Sequence, residues 1–88
     1  MEKIEIEVFS QASNYAIVRM PGRKFPGSVI QGDSLSILCD LAEIITEQIK
    51  DSTNEELVEA AAELKDLLDR RLQHYEAVLK EHSIELPY

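Results

Sequence analysis

The chain has few of the residues that form catalytic, metal-binding or disulfide-bonded sites. It contains one cysteine, two histidines and no tryptophan. Cys39 has no partner for an internal disulfide, so we interpret it as a small residue of a helical core. Only Glu85 lies at helical spacing from a histidine, His82, and it follows the predicted end of that helix. The sequence therefore predicts no metal, no cofactor and no catalytic thiol.

Long apolar runs are also absent. No segment of about 20 apolar residues is present, so no transmembrane helix is predicted. The first ten residues alternate charged and apolar side chains and have no apolar centre of the kind found in signal peptides. The acidic residues that lie at helical spacing from one another are of the kind found on exposed helix faces. Acid–base catalysis needs a partly buried cleft, and a chain of 88 residues offers little room for one. We therefore expect a cytoplasmic protein without enzymatic activity.

Negative charge dominates the second part of the chain. Residues 1–33 carry four acidic and four basic residues, whereas residues 34–88 carry 13 acidic and five basic ones, so the formal net charge of -8 comes from the second part. This excess repels nucleic acid and anionic membranes at long range, and we expect neither as a partner. The acidic residues form either a solvated helix face or a surface for a basic protein partner.

The sequence predicts an α+β fold in a single domain, with a sheet and a Pro/Gly loop in residues 1–33. Residues 2–9 alternate between charged and aliphatic residues, which is typical of a strand with one buried face. Residues 15–20 are rich in β-branched residues and predict a second strand, paired antiparallel with the first. Residues 28–31 are consistent with a short third strand, so we expect a sheet of two or three strands.

The first of two predicted helices begins at an N-cap formed by Asp33 or Ser34 and ends near Lys50. Apolar residues recur along it every three or four positions, which predicts an amphipathic helix. Ile37 and Ile44 widen the apolar arc, so we expect contacts on two sides of this helix. The predicted apolar line consists of Leu35, Leu38, Leu41 or Ala42, Ile45 and Ile49.

The second predicted helix runs from about Asn54 to His82 and contains no glycine or proline. Ser52 and Thr53 each have a glutamate three residues later, so two capping boxes compete for its start. Because few residues connect the two helices, they should form an antiparallel hairpin over residues 34–82, followed by a tail.

The second helix is expected to extend past the first by about 10 residues, given a rise of about 1.5 Å per residue. This overshoot carries an apolar stripe that needs cover, either from the sheet or from a second copy of the chain. We expect the second copy, and therefore a homodimer. The candidate dimer residues are Leu72, Tyr75, Val78 and Leu79.

Residues 19–34 hold all three glycines, two of the three prolines and three basic residues. Pro21–Gly22 and Pro26–Gly27 are each typical of the central pair of a type II turn. The segment is either a structural corner, in which Phe25 buries its ring, or a recognition loop for an acidic or anionic partner. In the second case the candidate binding residues are Arg19, Arg23, Lys24, Phe25 and Gln31.

The same segment carries the run R-x-P-G-R-x-F-P-G-x-x-x-Q-G-D, from Arg19 to Asp33. This run resembles the signature of a family of small bacterial proteins of unknown function. The resemblance implies a strand hairpin before the motif and helices after it, in a bacterial cytoplasmic protein. It implies no activity, substrate or catalytic residue.

Three functions fit these observations. One is a small module that binds an anionic ligand at the loop, with Arg19 and Arg23 holding a carboxylate or phosphate and Gln31 orienting it. Another is a structural dimerisation domain. The favoured function is a non-enzymatic protein–protein interaction, as in a small acidic regulator or immunity-type inhibitor that masks a basic site. The acidic residues expected to steer that association are Glu55, Glu59, Glu63 and Asp66.

Overall fold

The computed structural model describes residues 1–88 as two compact units, Met1–Gln31 and Gly32–Tyr88. The first unit contains a three-stranded antiparallel sheet, and the second contains two helices. The predicted α+β fold is therefore confirmed, and the sheet includes the third strand. In chain order the elements are β1 (Glu7–Ser10), β2 (Ile17–Arg19), β3 (Gly27–Ser28), α1 (Gly32–Ile49) and α2 (Glu55–Glu81).

The sheet has the strand order β1-β2-β3 and consists of very short strands. Glu7 lies opposite Arg19 in the β1–β2 pair, and a register shift between Val8 and Ser10 interrupts the regular pairing. β3 contains only two residues, both paired with β2. Strands of this length give the first unit few ladder hydrogen bonds, so side-chain contacts between strands matter for its stability.

The prediction of a first strand over residues 2–9 with one buried face is wrong in the length of the strand and in the burial of its side chains. Pairing begins at Glu7, and the aliphatic side chains of Ile4, Ile6 and Val8 are all exposed. The reason lies in the partner strand, because β2 has only three residues and offers no ladder partners to residues 2–6. The alternation of charged and aliphatic residues in residues 2–9 therefore indicates a tendency to form a strand, but it does not show that one face of the strand is buried.

The corner between β2 and β3 contains one of the two predicted type II turns. The backbone N–H of Arg23 donates to the carbonyl of Met20 at 3.1 Å, and Gly22 has a φ of 79°. A type II turn requires this positive φ at its third residue, so the turn at Pro21–Gly22 is confirmed. The second predicted turn is wrong, because Gly27 has no positive φ and belongs to β3.

Helix α1 begins at Gly32, two residues before the predicted start of the hairpin at Ser34. Asp33 and Ser34 therefore lie in its first turn, and neither is the N-cap. The Asp33 carboxylate accepts a hydrogen bond from the Ser34 backbone N–H at 2.8 Å. A carboxylate in the first turn still favours the helix, because it faces the positive end of the helix dipole.

Helix α2 has defined caps at both ends. Asn54 is its N-cap and accepts a hydrogen bond from the Leu57 backbone N–H at 3.1 Å, so neither predicted capping box sets the start. At the other end, the backbone N–H groups of Ser83 and Ile84 donate to the carbonyls of Lys80 and Leu79. Ser83 has a φ of 56°, so these bonds form a Schellman motif with serine at the position that usually holds glycine.

The two helices pack antiparallel, and three contacts fix their register. The Thr46 hydroxyl lies 3.5 Å from the Ala61 carbonyl, and the Cys39 thiol lies beside Asp69. The ring of Tyr75 lies against Gly32. The residue numbers of each pair add up to 107 or 108, as expected of two antiparallel helices with the same rise per residue.

Three small side chains and one leucine are buried where the two helices pack. The buried side chains are Leu35, Cys39 and Ala42 on α1 and Ala61 on α2. The predicted apolar line of α1 is therefore wrong at three of its larger residues. Its members Leu38, Leu41 and Ile45 are exposed. Small side chains let the helix backbones approach closely, which is why Cys39 and Ala42 occupy the contact instead of the larger aliphatic residues.

The extension of α2 past α1 is shorter than the sequence predicts. Because Tyr75 contacts the first residue of α1, only Glu76–Glu81 continue beyond that level. Leu72 and Tyr75 thus lie alongside α1, whereas Val78 and Leu79 belong to the extension. All four side chains are half-buried. Neither helix has the length and hydropathy that crossing a membrane requires.

Candidate interaction surfaces

Arg19 closes the corner between β2 and β3 through side-chain contacts. Its guanidinium donates two hydrogen bonds to Glu7, with Nε–Oε1 and Nη2–Oε2 distances of 3.0 and 2.6 Å. It also lies 5.4 Å from the centre of the Phe9 ring and 3.5 Å from the carbonyl of Lys24. The hydrogen bonds from Arg19 lower the pKa of Glu7, so the pair stays ionised at neutral pH.

The remaining basic residues of the corner are free of carboxylate partners. Arg23 and Lys24 are exposed, and neither forms an ion pair within the chain. The Lys24 ammonium lies 5.3 Å from the centre of the Phe25 ring, and that residue is 74% exposed. Of the two interpretations of this segment, the structural corner requires a buried Phe25 ring, and on that point it is wrong. Gln31 is exposed and makes no hydrogen bond to the other four candidates.

Cys39 lies in the buried contact between α1 and α2. Burial raises the pKa of its thiol, and the nearby carboxylate of Asp69 raises it further. Lys65 forms an ion pair with Asp69 one turn away on α2. Because the thiolate is the reactive form of cysteine, this environment disfavours nucleophilic chemistry at Cys39. No group of three or more His, Cys, Asp or Glu side chains is placed to hold a metal ion.

The raised pKa and burial of Cys39 predict slow labelling by a thiol reagent. At about pH 8, where an ordinary thiol of pKa about 8.5 reacts readily, we expect the folded chain to react at least about tenfold more slowly than the chain in urea. Ellman's reagent provides the measurement, and free glutathione provides the reference rate. Equal rates for the folded and unfolded chains would show that Cys39 is accessible and contradict the packing described above.

Helix α2 presents an acidic surface beside a line of exposed leucines. Exposed leucines occur at positions 57, 64 and 67, spaced seven and three residues apart, which places them on one side of the helix. Glutamates at 55, 56, 59 and 63 are exposed and form no ion pair within the chain, whereas Asp66 is paired with Arg70. We call this set the acidic surface of α2: Glu55, Glu56, Leu57, Glu59, Glu63, Leu64 and Leu67. Given about 100° per residue, Glu56 and Glu63 lie next to Leu67 around the helix, whereas Glu55 and Glu59 lie about 160° from Leu57.

A shallow groove of about 300 Å³ lies at the start of the acidic surface, lined by Asn54, Glu56, Leu57 and Ala60. Its walls carry one carboxylate and one amide side chain, so it lacks a second acid or base to complete a catalytic pair. The sequence identified Glu55, Glu59 and Glu63, but it did not identify Leu67 as exposed.

Helix α1 presents a second exposed apolar surface, here called the outer face. Its five aliphatic side chains are between 39% and 59% exposed, and they lie on the side of α1 that does not carry the buried residues. The sequence identified a wide apolar arc on α1 but did not distinguish its buried and exposed parts. The outer face consists of Ile37, Leu38, Leu41, Ile44 and Ile45.

Comparison with known proteins places the chain in a family. Residues 1–88, the whole chain, match the family model described as "Family of unknown function (DUF6959)". No curated protein and no solved structure shows significant similarity to the chain. A match over the full length agrees with the resemblance to a family of uncharacterised proteins that the loop motif suggests. The chain therefore belongs to the family of unknown function DUF6959.

Proposed function

We propose that this protein is a non-enzymatic interaction module that binds a basic surface of another protein through the acidic surface of α2. The observation that supports the proposal most directly is the combination of exposed leucines with unpaired glutamates on one helix. A small acidic regulator or an immunity-type inhibitor that masks a basic site would use such a surface.

The acidic surface combines exposed apolar side chains with carboxylates along one of their edges, where Glu56 and Glu63 lie next to Leu67, and protein interfaces likewise place polar residues at the rim of an apolar patch. Each half-exposed leucine contributes about 1 kcal/mol when a partner covers it. The unpaired glutamates add long-range attraction to a basic partner and raise the association rate, and salt weakens this contribution. The same negative potential disfavours nucleic acid and anionic membranes as partners.

A charge-neutralised variant tests this proposal. The immobilised chain and its triple variant Glu55→Gln, Glu59→Gln, Glu63→Gln are used to capture proteins from a lysate of the native host. We expect a partner that binds the unmodified chain, is released by salt and is lost with the variant. Titration calorimetry with the purified partner should then give a dissociation constant at least about 10-fold weaker for the variant.

The matched control carries the same change at three unpaired acids elsewhere: Glu2→Gln, Glu81→Gln and Glu85→Gln. Each triple variant changes the formal net charge from -8 to -5, because three negative charges are removed in both. Equal loss of binding in the two variants would mean that net charge, and not the acidic surface of α2, drives association. Absence of any partner released by salt would contradict the proposal as a whole.

A second proposal concerns the corner between β2 and β3, where Arg23 and Lys24 are exposed without carboxylate partners. They are the residues available to bind an anionic ligand, since Arg19 is occupied by Glu7. In a thermal-shift screen of carboxylate and phosphate metabolites, stabilisation that disappears in Arg23→Ala would support this function. Stabilisation retained in that variant would contradict it.

Further proposals concern context and assembly. The resemblance carried by the loop motif supports a bacterial origin, and the single cysteine agrees with a cytoplasmic location. Self-association as a dimerisation domain is supported by exposed apolar residues on both helices. The half-buried side chains of Leu72, Tyr75, Val78 and Leu79 offer less area for it than the outer face of α1.

A further inference from the structure

We propose that the corner between β2 and β3 of one copy of the chain binds the acidic surface of α2 of a second copy. The Phe25 ring enters the groove at the start of α2, and Lys24 meets Glu56 there. Arg23 meets Glu63, two turns further along the helix. The proposal rests on the proposed function, because it names a basic partner for the same acidic surface.

The two units of the chain carry net charges of opposite sign. Met1–Gln31 has four basic and three acidic residues, whereas Gly32–Tyr88 has five basic and 14 acidic residues, so their formal net charges are +1 and -9. A contact between the helical units of two copies brings like charges together and is opposed by repulsion. A contact between the first unit of one copy and the helical unit of another joins opposite charges, so electrostatics favours this pairing.

The corner presents two adjacent basic side chains and an exposed aromatic ring. Arg19 is held in an ion pair, whereas Arg23 and Lys24 form none within the chain. Phe25 is 74% exposed, and its ring centre lies 5.3 Å from the Lys24 ammonium. The type II turn at Pro21–Gly22 fixes the backbone next to these side chains, so less conformational freedom is lost when they bind.

The groove at the start of α2 has the complementary features. Its volume is about 300 Å³, and a cavity of about 150 Å³ already holds a benzene molecule, so the groove has room for a phenyl ring. Leu57 and Ala60 supply apolar walls, and Glu56 lines the same groove. Because the Lys24 ammonium lies close to the Phe25 ring, placing that ring in the groove brings the ammonium near the Glu56 carboxylate.

A second carboxylate continues the match along the helix. Glu63 follows Glu56 by seven residues, which places it on the same side of α2 about 10.5 Å away. Arg23 lies two residues before Phe25, a backbone span of up to about 7 Å, and its long side chain extends the reach to Glu63. Both glutamates are exposed and unpaired within the chain. Each free basic side chain of the corner therefore has its own carboxylate partner.

The contact is small, so we expect weak self-association. It uses about seven residues on each side, against the 20–30 of a standard interface of about 1,600 Å², so one contact buries about 500 Å². Two copies that each bind α2 of the other bury about 1,000 Å² in total, which is the lower end of specific association. An area of this size corresponds to a transient complex with a dissociation constant of about 10–500 μM.

Dilution of the purified full chain tests the contact. In sedimentation equilibrium from about 10 μM to about 1 mM, the average mass should rise above 10.0 kDa. In NMR spectra over the same range, the amide shifts of residues 23–25 and 56–63 should change together, whereas those of the outer face of α1 should not. A chain that stays at 10.0 kDa throughout, or shift changes confined to other residues, would overturn the proposal.

Removing the aromatic ring tests the role of the groove. Phe25→Ala should weaken self-association about 10-fold or more, because the ring is the centre of the contact. Tyr15→Ala is the matched control, since it removes a ring that is 75% exposed before β2 of the same unit, and it should leave self-association unchanged. Circular dichroism should show the same helix content in both variants. Equal weakening in the two variants, or none in Phe25→Ala, would count against the groove as the binding site and overturn the proposal.

Exchanging one charge pair tests whether unlike surfaces of two copies meet. Lys24→Glu and Glu56→Lys should each weaken self-association about 10-fold or more, because like charges then face each other. An equimolar mixture of the two variants should recover it. In the mixture, one contact joins two unmodified surfaces, and the other joins two surfaces with exchanged charges. A mixture that associates no better than either variant alone would overturn the pairing of Lys24 with Glu56.

The same variants separate this inference from the proposed function. Lys24→Glu leaves the acidic surface intact, so it should lose self-association and still capture the basic partner from a lysate. A captured partner together with a chain that stays monomeric would overturn this inference alone. Self-association of the purified chain without any captured partner would contradict the proposed function and leave the contact between copies standing.

Discussion

Ala61→Leu should destabilise the helical hairpin by about 1–3 kcal/mol, because it adds three carbon atoms at a buried contact between the two helices. Ala61 is buried, and its carbonyl lies 3.5 Å from the Thr46 hydroxyl of α1. The same hydroxyl donates to the Ala42 carbonyl at 2.8 Å, and Ala42 is only 3% exposed. A leucine side chain at position 61 must therefore separate the helices or adopt a strained rotamer.

Ala60→Leu is the matched control, since it makes the same change one residue earlier on an exposed position of α2. It should alter the free energy of unfolding by less than about 0.5 kcal/mol. Urea unfolding followed by far-UV circular dichroism, at one fixed protein concentration, measures both variants because the helices dominate that signal. Equal stabilities of the two variants would mean that Ala61 does not lie in a tight helix contact.

The contact at Ala61 also shows what the sequence could not determine about α1. Eight of the 18 residues of that helix are aliphatic and they lie on more than one side, so a spacing of three to four residues fits two different apolar lines along the helix. The larger residues Leu38, Leu41 and Ile45 favoured one line. The structure buries Cys39 and Ala42 instead, because the choice depends on how closely α2 can approach, and a single-helix pattern contains no information about that distance.

Helix ends could be predicted to within one or two residues, but their chemistry could not. The second helix was expected from about Asn54 to His82 and is observed over Glu55–Glu81 with those two residues as caps. The capping boxes at Ser52 and Thr53 competed with Asn54 because all three side chains can accept from a free N–H. At the other end, Ser83 adopts the positive φ of a Schellman motif, which serine seldom does and sequence therefore does not indicate.

For the candidate binding residues of the corner, the sequence also indicated the group of residues but not the role of each one. Arg19, Arg23 and Lys24 stood out because basic residues are rare in this chain and occur there together. Only the sheet register shows that Glu7 lies opposite Arg19 and occupies its guanidinium. Strand register depends on contacts between distant residues, so the sequence alone could not separate the residue that holds the corner together from the two that remain available.

Gly32 of the Q-G-D motif has a structural reason to be glycine. A Cβ atom at this position would overlap with the Cζ, Cε1 and Oη atoms of Tyr75, whose ring lies against the first residue of α1. Gly32 has no positive φ, so space and not backbone conformation excludes a side chain. Gly32→Ala should therefore destabilise the hairpin by about 1–3 kcal/mol, as other substitutions that overfill a packed contact do.

A double-mutant cycle distinguishes this steric effect from a change in helix propensity. Without the ring, in Tyr75→Ala, the substitution Gly32→Ala should be neutral or stabilising by up to about 1 kcal/mol, because alanine favours the helix more than glycine does. In Tyr75→Phe, which keeps the ring but removes Oη, Gly32→Ala should remain destabilising. Urea unfolding of the six chains gives the coupling free energy. Equal effects of Gly32→Ala in all three backgrounds would show that Tyr75 moves aside at no cost and that the glycine serves another purpose.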